Sequence, residues 1–266
     1  MESVPIKREN FNKKFYRLNI PIFISQAFLV IIGILNSLTF GQLGEKVLAS
    51  VAIVDKLNGV YWPILTAIST VITVFLIQNN ENNNKREVKK IFIFSNIIMS
   101  LISLFSLIII TIFNKKLISI YTKDEMVLDG AIFYIWAIVI ANLFATITYS
   151  IITYFNGMGK VKESSIIGMF QVFLNFILYY IFIIKTKNEF FLGVKGISYA
   201  IIITKMVELI IYLKIYKTKF SLKEIKVTFK EGLNKRMSKQ IFVYLIPLVL
   251  NNGAIINCWT QMFRLV

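Results

Sequence analysis

Long apolar blocks alternate with short polar gaps along the chain. Six blocks reach or exceed the roughly 20 residues that a helix needs to cross the hydrocarbon core of a bilayer. The blocks are continuous and do not alternate every second residue, which favours helices over the strands of a barrel. We therefore predict an all-α membrane protein with a six-helix transmembrane lobe and a partial seventh helix. The predicted spans are residues 18–40, 47–78, 91–113, 131–155, 165–184 and 192–213.

The polar gaps predict the organisation of the chain and its orientation. An N-terminal arm at 1–17 precedes the lobe at 18–213, and a basic connector at 214–240 leads to a further apolar segment at 241–266. Lys and Arg are concentrated in alternate gaps, with 20 on one side of the lobe and eight on the other. Because cytoplasmic loops carry the excess of Lys and Arg, the arm and the connector are expected in the cytoplasm. We predict a multi-pass protein of the plasma membrane.

Composition supports the membrane class and excludes several other functions. The chain is 56% apolar with a mean hydropathy of +0.69, whereas soluble domains are about 45–50% apolar. The net charge of +16 does not indicate nucleic-acid binding, because the cations lie between the spans. Cys258 is the single cysteine and histidine is absent, which excludes a disulfide or a Cys/His site within one chain. We predict no enzyme activity, metal or cofactor.

Two stretches of the chain have similar sequence patterns. Residues 16–26 read YRLNIPIFISQ, and residues 242–252 read FVYLIPLVLNN. Each follows a basic stretch and places a proline in the first turn of an apolar segment. An even number of spans lies between them, so we predict a parallel repeat whose second copy begins near Ile241. The residues after Pro247 are few and become polar, so this second copy is expected to be truncated.

Several motifs follow one another along the chain, and the most specific are FNGMGK at 155–160, Asn175 downstream and GVKG at 193–196, with GQLGE at 41–45 as support. In this order they resemble the motifs of the MATE family, the multidrug and toxic compound extrusion transporters. The similarity extends over about 15–250. It implies a twelve-helix, two-lobe secondary antiporter that exchanges inward Na⁺ or H⁺ for outward movement of a cationic or amphipathic compound. This chain would be half of such a transporter, its first lobe.

The resemblance also implies a cation site inside the first lobe. Family members commonly carry an acidic residue where this chain has Asn36, and another, one turn after Asn175, where it has Tyr179. A helix-six threonine of the same network falls at Ile201. Asn and Tyr form hydrogen bonds but do not titrate near neutral pH, so proton coupling through these positions is not expected and would rest on the second lobe.

The candidate cavity residues are polar side chains within the spans. Asn36 and Asn175 either line a cavity or form hydrogen bonds between helices, a common role for such side chains in membranes. Tyr179 and Gln26 complete this set. Aromatic residues are expected at interfaces or in helix packing, and contact with an aromatic drug is the alternative for them. These are Tyr61, Trp62, Tyr134 and Trp136.

Charged residues and glycines give further candidates. Lys205 and Glu208 lie three residues apart on one helix face, which favours a structural ion pair, although intramembrane charges also indicate functional sites. Asp55 lies near the outer end of the second span, where we interpret it as a solvated or interfacial carboxylate. Gly157 and Gly159 are predicted to form a cytoplasmic hinge, because glycine permits a tight turn.

Two other functions stay open. A lipid-linked oligosaccharide flippase of the same superfamily has a similar helix pattern, but such proteins tend to have a strongly cationic cavity. Lys205 is one of few cations within the spans here. A non-transporting membrane remnant is the third interpretation. The partners expected for a transporter are the lipid bilayer, a small cationic compound and a second lobe or half-transporter, and nucleic acid is not among them.

Overall fold

Long helices account for nearly all of the chain that the structure describes. The computed structural model describes residues 8–185, 190–217, 239–248 and 250–251, and no residue within these ranges lies in a strand. A shorter apolar helix occurs at Lys239–Leu248. The long helices are α1 (Arg8–Gly41), α2 (Glu45–Glu81), α3 (Lys85–Ile118), α4 (Glu125–Gly157), α5 (Val161–Lys185) and α6 (Phe190–Lys217).

Five of these helices, α2 to α6, are long and apolar enough to cross a membrane, which confirms the all-α membrane class. The number of such helices among the described residues is one lower than the six spans predicted. The first predicted span, 18–40, lies within α1 and stays a prediction. The helices also extend beyond the apolar blocks: α3 begins at Lys85 and ends at Ile118, outside the predicted 91–113. Charged residues end a hydropathy block, but they do not end a helix that projects beyond the bilayer.

Helix α4 is the centre of the lobe. It packs against α2, α3 and α6, whereas α1 packs chiefly against α5. Many of the residues that α4 buries are small, so the backbones of its neighbours can approach closely. Close packing matters here because lipid tails are as apolar as the side chains, and no hydrophobic effect drives helices together inside the bilayer. These small residues are Gly130, Ala131, Ala137, Ala141, Ala145, Ser150 and Gly157.

Hydrogen bonds add to this packing along the contact between α2 and α4. Three pairs of side chains bond across it at successive levels of the two helices. Bonds of this kind contribute about 0.6 kcal/mol each on average inside a membrane, so together they fix the register of α2 on α4. The pairs are Asn58 with Asn142 at 2.9 Å, Tyr61 with Thr146, and Ser69 with Thr153 at 2.7 Å.

The predicted glycine hinge uses its two glycines differently. Gly159 has φ +72°, a left-handed conformation in which a side chain would be strained. Gly157 is the last residue of α4 and has no positive φ. A Cβ added to Gly157 would lie 2.5 Å from Cβ of Leu76 in α2. Gly159 therefore permits the turn, while Gly157 permits the close approach of α4 to α2.

Replacing Gly157 by alanine is expected to destabilise the lobe by about 1–3 kcal/mol, the usual cost of overpacking a close contact. The clash is with the Cβ of Leu76, which cannot rotate away. Gly168→Ala in α5 is the matched control, because a Cβ there meets no atom within 4 Å. Thermal unfolding in detergent should show a lower Tm for Gly157→Ala alone. Equal Tm values for the two variants would contradict this role of Gly157.

Asp124 joins the start of α4 to the start of α2. Its carboxylate accepts hydrogen bonds from the backbone N–H groups of Met126 at 2.9 Å and Val127 at 3.2 Å. It also forms an ion pair with Nζ of Lys46 at 3.0 Å. The hydrogen bond from Lys46, followed by that from the Val127 backbone, lowers the pKa of Asp124 below its ordinary value. Asp124 thus acts as helix cap and as interhelical link.

The lowered pKa of Asp124 predicts a pH-dependent contribution to stability. This contribution is present above the ordinary carboxyl pKa and is lost as pH falls through the lower folded value. Asp124→Asn keeps a capping side chain but has no charge to lose. The Tm difference between wild type and Asp124→Asn should therefore shrink as the solution is acidified. A difference that stays constant with pH would contradict the ion pair.

Candidate functional site

Four buried polar side chains meet between α4, α5 and α6. Tyr134 comes from α4, Asn175 and Tyr179 from α5, and Thr204 from α6, and each is at most 9% exposed. Nδ2 of Asn175 donates a hydrogen bond to Oγ1 of Thr204 at 3.2 Å. The hydroxyl of Tyr179 lies close enough to the side chains of Asn175 and Tyr134 to interact with both. We call these four residues the polar cluster.

Asp55 of α2 is exposed on the surface of the lobe. Val51, one helical turn earlier, is buried in the same core as Tyr134 and Tyr179. The interpretation of Asp55 as a solvated or interfacial carboxylate stays a prediction.

Helix α1 contributes Phe40 and Asn36 near the polar cluster. The ring of Phe40 packs edge-on against Tyr179, with 5.0 Å between centroids. Asn36 lies one helical turn before Phe40. Its Oδ1 is buried and has no hydrogen-bond partner in the described part of the chain. An unsatisfied buried acceptor costs about 1–3 kcal/mol, so a donor or a cation reaching this atom would be stabilised.

The other cavity candidates lie apart from this arrangement. Ile201, where the resemblance implied the helix-six threonine, packs among hydrophobic residues. The threonine that contacts Asn175 is Thr204, one helical turn later. Gln26 lies in α1, and its side chain is outside the described residues. Among the aromatic candidates, the rings of Trp62 and Tyr149 pack edge-on, with centroids 5.7 Å apart, as expected for helix packing.

A second polar feature is the ion pair that follows the polar cluster along α6. Nζ of Lys205 lies 2.9 Å from Oε2 of Glu208, and the side chains are only 16% and 5% exposed, respectively. The ammonium group also lies 5.8 Å from the centroid of the Trp62 ring in α2, within the range of a cation–π interaction. The pair carries no net charge, so the lobe contains it at a much lower cost than either ion alone.

Buried polar groups continue from Glu208 to the glycine hinge. Tyr212 is fully buried one turn after Glu208 and interacts with it electrostatically. Its hydroxyl donates to the carbonyl of Ser164 at 3.2 Å. The hydroxyl of Ser164 donates to Oδ1 of Asn156, the residue before Gly157, at 2.9 Å. Hydrogen bonds thus link Tyr212 of α6 to the residue that precedes the glycine hinge.

The chemistry of these groups suits binding of a small cation. The polar cluster supplies neutral hydroxyl and amide oxygen atoms, and oxygen is the donor type that hard cations prefer. The described residues contain no group of three or more His, Cys, Asp and Glu side chains that could hold a metal ion.

The fold is that of one half of several solved membrane transporters. A MOP superfamily transporter from Pyrococcus furiosus matches with a TM-score of 0.78 and 16% identity, over 90% of this chain and 52% of its own. The Vibrio cholerae MATE transporter VcmN in its bent form matches with a TM-score of 0.77 and 18% identity, over 96% of this chain and 56% of its own. The chain therefore shares the fold of one half of these membrane transporters, and it spans about half their length.

The sequence assigns the family within this class. The MatE family model matches residues 21–181, more than half of the 266 residues. The chain therefore belongs to the MatE family, whose members are transporters and not enzymes, and the resemblance to MATE transporters is confirmed. As a membrane-embedded protein it contacts the lipid bilayer. No relative is found among curated proteins.

Substituting one partner of the ion pair in α6 is expected to destabilise the lobe more than substituting both partners. Lys205→Met leaves the buried carboxylate of Glu208 unpaired and should destabilise the lobe by about 3–5 kcal/mol. The double variant Lys205→Met/Glu208→Gln leaves no unpaired charge in the interior and should be more stable than Lys205→Met alone. Unfolding of the single and double variants in detergent measures this coupling. If the double variant lost as much stability as the two single variants together, the pairing would be contradicted.

Proposed function

We propose that this chain is the first lobe of a secondary transporter that exports cationic or amphipathic compounds in exchange for inward Na⁺ or H⁺. The observation that carries the proposal is the polar cluster inside a lobe with the fold of half a MATE transporter. Asn175, Tyr179 and Thr204 offer oxygen atoms to a small cation. Such a site within a span is a functional feature by default, because polar and charged groups are costly in the bilayer.

The proposed mechanism is alternating access, in which two lobes rock against each other around a central site. The second lobe would begin with the repeat predicted near Ile241. The structure is compatible with this start: Ile241 is fully buried in a core formed with α2 and α3. The ring of Tyr244 also packs near Phe75 of α2, with 6.3 Å between centroids. The helix at Lys239–Leu248 therefore lies against the first lobe, where a following lobe would connect.

The proposed orientation places the hinge loop and the N-terminus in the cytoplasm of a cell with this protein in its plasma membrane. Its support is the excess of Lys and Arg in alternate gaps. With this orientation, the proposed domains are a cytoplasmic arm at 1–17, a lobe at 18–213, a cytoplasmic connector at 214–240 and the start of a second repeat at 241–266. Residues 218–238 of the connector lie outside the described residues.

The flippase alternative receives less support from the interior of the lobe. A pyrophosphate-bearing lipid calls for uncompensated cations in the cavity. The described interior cation, Lys205, is neutralised by Glu208 at 2.9 Å. A non-transporting partner of another membrane protein differs from a transporter lobe in one measurable respect, which is transport once a second lobe is supplied.

The proposal predicts that residues 1–266 expressed alone do not export ethidium, because one lobe has nothing to rock against. A product in which the genomic frame continues through a second lobe is expected to lower ethidium accumulation when a Na⁺ or H⁺ gradient is present. A two-lobe MATE transporter in the same cells is the positive control. No efflux by the two-lobe product under either gradient would contradict the proposed function. Efflux by the lone chain would contradict the need for a second lobe.

A further inference from the structure

The first turns of α3 concentrate positive charge at one end of the lobe. Four cations fall within residues 85–90, which we call the basic stretch: Lys85, Arg86, Lys89 and Lys90. Glu87 is the acidic residue of this stretch, and its carboxylate forms an ion pair with Nζ of Lys90 at 3.0 Å. The basic stretch therefore keeps a net positive charge after this pair has formed. It directly precedes the apolar part of α3, where basic segments meet the headgroups of a bilayer.

A further cation comes from the short helix that begins at Lys239, whose side chain is exposed. Two residues later, Ile241 is fully buried in the core that also contains Val88, in the middle of the basic stretch. The ring of Phe242 packs edge-on against Phe94 of α3, with 6.3 Å between centroids. The start of the short helix therefore lies beside the basic stretch, and Lys239 adds to the positive charge there.

An exposed apolar stripe continues from these cations along α3. Arg86 and Lys90 stand at its head, and its apolar members follow at spacings that keep side chains on one helix face. These members, which we call the apolar stripe, are Ile97, Leu101 and Leu104, and all are exposed. From Lys90 to Leu101 the helix rises about 16 Å, which is close to half of a hydrocarbon core about 30 Å thick. The apolar stripe therefore matches the depth of one bilayer leaflet.

We propose that the basic stretch and Lys239 bind the headgroup of an anionic phospholipid whose acyl chain lies along the apolar stripe. The phosphate group of such a lipid forms charge-assisted hydrogen bonds with Lys and Arg side chains, and its tail matches the exposed face of α3. A soluble acidic protein or a nucleic acid would use the cations but would leave the apolar stripe unmatched. In the orientation proposed above, the lipid belongs to the cytoplasmic leaflet, whose surface is negative.

Native mass spectrometry of the full 266-residue chain in detergent tests this inference. One arm titrates the chain with a phosphatidylglycerol, and the other uses a phosphatidylcholine with the same acyl chains. Wild type is expected to bind the phosphatidylglycerol more tightly by about tenfold or more, because each cation near a headgroup adds to the attraction. Glycerol phosphate at the same concentration is expected not to displace the lipid, because it cannot use the apolar stripe.

Matched variants separate a local site from the overall charge of the chain. Arg86→Gln/Lys239→Gln should weaken phosphatidylglycerol binding by about tenfold and leave phosphatidylcholine binding unchanged. Lys115→Gln/Lys116→Gln removes the same charge from exposed residues at the opposite end of α3 and should bind as wild type does. Arg86→Lys/Lys239→Arg keeps both charges and should keep the affinity. Tm values in detergent identify the variants that fold, and Lys239→Gln alone, at an exposed position, should weaken binding by about threefold.

Three results would overturn the inference. Equal binding of the two lipids by wild type would show that the headgroup charge is not recognised. Equal weakening by the two pairs of glutamine substitutions would show that net charge alone attracts the lipid. Displacement by glycerol phosphate at the same concentration would show that the apolar stripe takes no part. Lipid binding is measured without transport, so these results are distinct from failure of the proposed function.

Discussion

Neutralising charge inside the bilayer is the constraint on which the interior of this lobe depends. Lys205 and Glu208 satisfy it within one turn of α6, because each ion has the other within 2.9 Å. The same turn begins next to Thr204, whose bond to Asn175 ties α6 to α5. Charge at Asp55 is not balanced in this way by the described residues. The lobe thus holds a self-contained ion pair within α6, while the Asp55 carboxylate is exposed on its surface.

Close packing around α4 makes the interior of the lobe rigid. Small residues let α2, α3 and α6 approach α4, and side-chain hydrogen bonds fix the register of α2. At one end of α4, Asp124 links it to Lys46 before α2 enters the bilayer. At the other end, Gly157 meets Leu76 with no room for a Cβ. Helix α2 is therefore held against α4 at both ends.

The sequence was sufficient for the fold class and only partly sufficient for the site. Long apolar runs determine where helices cross a membrane, so α2 to α6 were predictable, but the helix ends were not, since a helix continues past its first charged residue. The motifs identified Asn175. They placed its threonine partner in α6 at Ile201, one turn before Thr204, because an almost uniformly apolar helix does not define the register of the similarity. The meeting of Tyr134 with Tyr179 was not predicted, because the two residues are distant in sequence and come together only through the packing of α4 and α5 in the core.

The most direct test of this account exchanges the two charges of the ion pair in α6. Each single reversal, Lys205→Glu or Glu208→Lys, places two like charges within one turn of the helix, whereas the double exchange restores an opposite pair at the same two positions. The account predicts that the Tm in detergent falls for each single variant and recovers in the double variant. A double variant that is no more stable than the single variants would contradict the account.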